Sequence, residues 1–338
     1  MIPWLVLASL PALAADAGTE IPTPRVGALV YSHFRYDLTD DNAGYSEFGI
    51  DRAFLVAQGQ ITQQIGAKIT IDADLPRDLV GFDASTGTAT TDTKMRVFLK
   101  NAWLEGKLPA GIKVRAGIVD TGWVAFGEQF GGIRYITRQL ADVGKLDSAA
   151  DFGVNIQGNE AGGLIDWHVG AYNGEGYACP EIDGGKAIAA RVALDPLAPG
   201  GKWNLPVGGW VKQHFANESA ATPSISTTAY AGGAGFKMPY VVAWGEYDGV
   251  ARSDGTAGGG ASITVMPRAP ALGGLIFRFD DFDPNHEVDG DQMMTIIGGV
   301  SHTFAEKTAV ALTFEQTVTG GDSSTASRGV YARWQAGF

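Results

Sequence analysis

The stretch that decides the fold is the last one, Arg328–Phe338, RGVYARWQAGF. It alternates strictly, with Val330, Ala332, Trp334, Ala336 and Phe338 on one face and Gly329, Tyr331, Arg333, Gln335 and Gly337 on the other. A strand lying on a soluble sandwich alternates in the same way. This one, however, stops on an aromatic residue with nothing after it to cover it, four positions beyond a tryptophan. Apolar residues on one side with aromatics at the rim suit a strand that closes a barrel in lipid.

The same pattern runs back through the chain. Thr308–Val318 puts Val310, Leu312 and Phe314 outward and Thr313, Glu315 and Thr317 inward. Ile65–Leu75 puts Ile65, Ala67, Ile69, Ile71 and Ala73 outward and Lys68, Thr70, Asp72 and Asp74 inward. Val26–Leu38 gives Tyr31, His33, Arg35 and Asp37 an inner face. Ser46–Gln60 is ambiguous, because Phe54 and Val56 share parity with Arg52. Short turns alternate with longer loops, and segments of this kind count to about sixteen, within the even-numbered range of bacterial barrels. The expected fold is all-β, a transmembrane antiparallel β-barrel of about 16 strands in one domain, residues 15–338, with a long third loop folded into the lumen.

Residues 1–14 read as a signal peptide, an apolar run closing on Ala12-Leu13-Ala14, although the basic residues that usually open one are absent. After it, no apolar run approaches the ~18–20 residues that a membrane helix needs. The 338 residues include 47 glycines and carry a formal charge of −12, which argues against nucleic acid as a partner. With Cys179 as the single cysteine, no intramolecular disulfide is available.

Asp120–Ala150, DTGWVAFGEQFGGIRYITRQLADVGKLDSAA, is the longest connection and is too aromatic and aliphatic to be a solvated loop. It is expected to pack inside the barrel and narrow it, with a helical turn at Tyr135–Val143. The candidate constriction residues are Arg134, Arg138, Lys145, Glu128 and Asp142. Arg134 and Arg138, four apart, would share one face of a helical turn. The candidate lumen wall comprises Arg35, Lys68, Asp72, Lys113, Arg115, Arg191, Arg278 and Arg333, interleaved with Asp74, Asp147 and Glu315. For each basic residue the alternative to contacting solute is an ion pair that braces the barrel.

Several phrases, in this order, resemble the phosphate-selective porin O and P family: DRAFL, KNAWLEGKL, VRAGIVDTGW, RYITRQLAD, DFGVNIQG, AYNGEGY, ARVALDPL and FRFDDFDPN. They span most of the chain from Arg52 onwards. The resemblance implies a homotrimeric sixteen-stranded pore in the outer membrane of a Gram-negative bacterium. The terminal Phe338 likewise resembles the closing strand by which the barrel assembly machinery recognises such chains. Partners on this reading are outer-membrane lipid, lipopolysaccharide and small hydrophilic solutes. A phosphate filter needs a dense ladder of cations, and the ladder here is mixed in sign.

Other chemistry finds little support. In DDFDPNHEVDGD (280–291), oxygen ligands alternate as they would for calcium, but His286 stands where the EF-hand glycine belongs, so a solvated acidic loop is the simpler reading. His33, His168, His214, His286 and His302 are scattered without metal-ligand spacing, and no serine sits in a nucleophile elbow. No enzyme activity, cofactor or metal is expected. The functional expectation is passive diffusion of small solutes or ions, with anions such as phosphate as one option. A non-channel barrel for adhesion or structure, or a barrel phospholipase, is the alternative.

Overall fold

The computed structural model describes residues 21–74, 79–83, 88–91, 95–181, 183–201, 203–217, 225–269, 273–320 and 325–338. The signal peptide assigned to residues 1–14 lies outside them.

Sixteen strands among the described residues close a barrel, each antiparallel to its neighbours. The first part contributes β1 (Arg25–Asp37), β2 (Ser46–Gln60) and β3 (Ile65–Asp74). The next connection carries a separate hairpin, β4 (Leu79–Asp83) with β5 (Thr88–Thr91). The wall resumes with β6 (Arg96–Lys107), β7 (Lys113–Asp120), β8 (Ala150–Glu160), β9 (Ile165–Tyr172), β10 (Lys186–Leu194) and β11 (Val207–Phe215). It continues through β12 (Thr227–Met238), β13 (Val241–Arg252), β14 (Ala257–Ala269) and β15 (Gly273–Asp283). The last three are β16 (Met293–Ala305), β17 (Thr308–Thr319) and β18 (Thr325–Gly337). Closure joins β18 to β1, from Leu29↔Gly337 to Asp37↔Gly329.

Burial follows the period of two. Ile69, Leu275, Val300 and Leu312 are exposed on the outer face, whereas Asp72, Arg278 and Arg333 are buried on the inner one. This inverts the pattern of a soluble sandwich, as a barrel solvated by lipid outside requires.

The ambiguity of β2 has a local cause. Its pairing with β1 runs Tyr31↔Arg52 and then Ser32↔Ile50, so Asp51 is an extra residue in a β-bulge. The bulge switches the phase of alternation. Phe48 and Ile50 point outward before it and Leu55 after it. A second bulge follows on β6, where Thr70↔Asn101 is succeeded by Ile71↔Leu99 and Lys100 is left over. Beyond the bulge the inward parity of Arg52, Phe54 and Val56 is real, with Arg52 on Asp72 and the other two facing a lumen cavity.

The third loop, 121–149, fills part of the lumen. It forms α1 (Trp123–Gly131) and α2 (Leu140–Val143). The helical turn expected at Tyr135–Val143 therefore survives only in its last residues, and the larger helix lies upstream. α1 carries two glycines and no side-chain N-cap, so packing rather than propensity holds it. Its Trp123, Val124, Phe126 and Phe130 form one buried cluster with Leu140 of α2 and with the inward residues Ala187, Ala189, Trp210, Ala229, Ala231 and Trp244. Small residues on β10 and β12 leave room for the large ones. A Cβ on Gly233 would come within 2.7 Å of the Trp244 ring. Each large side chain removed from water in this way contributes about 1.5–3 kcal/mol.

Candidate functional site

Carboxylates of the wall hold the third loop. Asp248 on β13 accepts from the indole N–H of Trp123 at 3.1 Å. Two residues earlier on the same inner face, Glu246 accepts from the Gln139 side chain at 2.9 Å and from the Leu140 backbone N–H at 3.2 Å. Arg278 on β15 pairs with Asp280 at 2.9 Å and donates to the carbonyl of Arg138 at 3.0 Å. At the loop's far end Asp147 meets Lys212 of β11 at 3.3 Å. Burial pushes the Asp147 carboxyl up from its ordinary range, against the pull of that ammonium.

The expected constriction residues fall on the loop as follows. Arg134 pairs with Glu128 at 2.7 Å and with Asp142 at 3.5 Å, and Arg138 approaches the same Asp142 at 3.7 Å. Arg134 and Arg138 do converge, on a shared carboxylate, but from non-helical backbone. Lys145 is exposed, in a left-handed conformation with φ of 56°.

The wall residues separate by type. Every arginine of the expected set holds a carboxylate: Arg35 with Asp37 at 2.6 Å, Arg115 with Glu105 at 2.9 Å and Asp120 at 3.2 Å, Arg191 with Asp166, Arg278 with Asp280, and Arg333 with Glu315. Asp72 is tied to Arg52, which also reaches Asp74 at 3.1 Å. The lysines Lys68, Lys113 and Lys145 have no carboxylate partner among the described residues.

A cavity of about 730 Å³ lies between the loop and the wall formed by β1, β2, β3 and β6. Lys68, Thr70, Lys100 and Asn101 line it from the wall, and Glu128 and Arg134 from the loop. Lys307 stands at its end beside the chain terminus, its Nζ donating to the Phe338 oxygen at 3.2 Å. The Lys100 ammonium lies 5.0 Å from the centroid of the Phe54 ring, and that of Lys68 6.0 Å from Trp103. Both lining carboxylates are already engaged, Asp120 by Arg115 and Glu128 by Arg134. The cavity thus presents two unpaired ammonium groups facing neutralised carboxylates.

Sequence reading missed Lys100 because the bulge moves it out of phase. It also missed Glu246 and Asp248, although a signal was present: Trp244, Glu246 and Asp248 alternate on one face, the pattern of a wall that grips something inside. The acidic segment 280–291 gathers no ligand set among the described residues. The carboxylates that do converge are Glu175, Glu181 and Asp183, with one oxygen from each lying within 4.8 Å of the others.

No family model matches the sequence, and no curated protein matches it. Solved structures do match the fold. An anion-selective porin from Comamonas acidovorans superposes with a TM-score of 0.61 at 13% identity, over 94% of this chain and 99% of that one. OprB of Pseudomonas putida, in a high-pH structure, gives 0.68 at 9% identity over 93% and 94%. The in-vitro folded trimer form of OmpT, an outer-membrane protein of Vibrio cholerae, gives 0.57 at 13% identity over 93% and 99%. The fold is therefore that of the outer-membrane porins. At these identities the likeness is one of architecture, and the phosphate-selective family is not singled out among its neighbours.

Proposed function

We propose that the protein is a passive diffusion channel of a Gram-negative outer membrane, that it admits small hydrophilic solutes with anions favoured, and that it performs no catalysis. The observation that carries this reading is the charge balance of the cavity beside the third loop. Lys68 and Lys100 are free of carboxylates while Asp120 and Glu128 are not, so a passing anion meets uncompensated positive charge in a confined, low-dielectric space. Arg134, Arg138, Glu128 and Asp142 form the loop's edge at the constriction, and Lys145 stands exposed near them. A filter dedicated to phosphate has less support, because the arginines that would strip its water are committed to ion pairs.

The structural neighbours support the channel reading by their descriptions alone, one as an anion-selective porin and one as a trimer. On the same reading the chain is exported through residues 1–14, recognised by the assembly machinery through Phe338, embedded among lipid and lipopolysaccharide, and assembled as a homotrimer. The deciding experiment is single-channel recording of the purified protein in a planar bilayer under a potassium chloride gradient. Discrete openings with a reversal potential favouring chloride are expected. Silence from folded, inserted protein overturns the channel reading, and a potential favouring potassium overturns the anion preference.

A further inference from the structure

One part of the lumen wall is apolar and only partly covered by the third loop. Tyr31 is buried in a cluster with Ile133, Tyr135 and Ile136 of the loop, and Leu29 and Phe54 pack against it, yet these three and Val56 also line the open cavity. Tyr31 and Phe54 meet edge to face at 5.7 Å. Docking the loop accounts for the covered part, but barrel lumens are ordinarily polar, and the part left facing the cavity serves no inorganic ion.

Polar groups border this patch. The two unpaired ammonium groups of Lys68 and Lys100 rest against aromatic rings, Lys100 on Phe54 itself. Between them on the wall, Thr70 lines the same cavity and is 4% exposed, yet its hydroxyl has no hydrogen-bond partner. A buried hydroxyl left unsatisfied is costly, which makes it a donor awaiting an acceptor. An apolar floor with a few convergent polar groups, in a volume within the ~300–1,000 Å³ of small-molecule sites, is the form of a ligand site.

We infer that this cavity is a transit site for organic monocarboxylates with an aromatic or branched apolar body. The carboxylate is held by Lys68, Lys100 and the Thr70 hydroxyl, and the body lies on Phe54 and Val56. Inorganic phosphate would satisfy the donors and leave the apolar floor wet. A neutral sugar would leave the ammonium groups unmatched. The inference rests on the channel reading above and narrows its solute.

The test is competition with chloride current through the intact protein in planar bilayers, using sodium benzoate, acetate and phosphate as probes. Benzoate is expected to halve the chloride conductance at a concentration about tenfold below that of acetate or phosphate, the difference made by one ring in contact. Phe54→Ser is expected to abolish that difference, as is the near-isosteric Val56→Thr should the serine variant not fold. Leu55→Val, on the opposite face, is expected to leave it intact. Equal effects of the three anions on a conducting channel, or a benzoate preference that survives both lumen substitutions, overturns the inference and leaves the channel standing. Absence of any conductance from folded, inserted protein removes both.

Discussion

The indole N–H of Trp123 donates to Oδ1 of Asp248 at 3.1 Å, between two fully buried side chains that lie 125 residues apart in sequence. This bond joins the first residue of α1 to the far wall of the barrel. Trp123→Phe keeps most of the packing and removes the donor, leaving a buried carboxylate oxygen unsatisfied. The expected cost is about 1–3 kcal/mol. Thermal unfolding in detergent measures it, and open-channel current noise should rise because the loop is less firmly held.

Gly127 offers a test in which local and tertiary effects oppose each other. It sits inside α1, where alanine is favoured by roughly 0.5–1 kcal/mol on helix propensity alone. A Cβ there would come within 1.6 Å of the Gln139 amide nitrogen, the atom that reaches Glu246. Gly127→Ala is therefore expected to destabilise rather than stabilise. A rise in the unfolding temperature would show that the Gln139 contact yields freely.

Charge reversal separates free cations from paired ones. Lys68→Glu or Lys100→Glu removes an uncompensated charge from the cavity and should shift the reversal potential towards cations, each by more than Arg134→Gln. The last substitution takes away a charge, releases Glu128 and leaves Asp142 to Arg138 alone, so its effect on loop position should exceed that of either lysine variant. Paired measurements of reversal potential and conductance distinguish these outcomes.

Tyr135, on the third loop, has its phenol pushed up from 10.0 to about 12, chiefly by burial. A group whose pKa is raised on folding contributes stability below its unfolded pKa, and this is lost as pH climbs through the folded value. Loop docking should therefore hold below about pH 10 and weaken between there and about pH 12. Ultraviolet titration of the phenols, compared with Tyr135→Phe, follows the transition. Unchanged late-titrating absorbance in the variant would remove Tyr135 from this account.

Deletion of Asp51 removes the extra residue of the β1–β2 bulge. Arg52 then follows directly on Ile50, and regular alternation keeps Arg52 inward and Phe48 and Ile50 outward, each still opposite its present partner on β1. The folded, heat-modifiable species is expected to survive on gel electrophoresis, as it should in Asp51→Asn, and its loss in the deletion variant alone would show that the bulge itself is needed for closure.

The barrel was legible because lipid outside and water inside impose a binary pattern on every strand. Thr308–Val318 and Arg328–Phe338 carry that pattern without interruption, and they are found as β17 and β18 with only small shifts at their ends. β2 resisted for two physical reasons, a phase slip at Asp51 and an apolar patch on the lumen side. The loop's insertion could be read from its composition, but not its helix, since WVAFGEQFG is helical only against Trp210 and Trp244. Which cations are free was beyond reach of the sequence, because pairing depends on cross-strand register. Lys100 became visible only once a bulge was placed beside it.

The seam between β1 and β18 has a consequence for how the chain is made. Leu29 and Gly337 are direct partners although about three hundred residues separate them, so the ring cannot close until the whole polypeptide is present. Until that moment β1 and β17 are bare edges with unsatisfied amides and carbonyls, open to pairing with any other chain. A nascent copy of this protein has no early-folding part to shelter in. Between its first strand and its last, only separation from other copies keeps those edges from pairing wrongly.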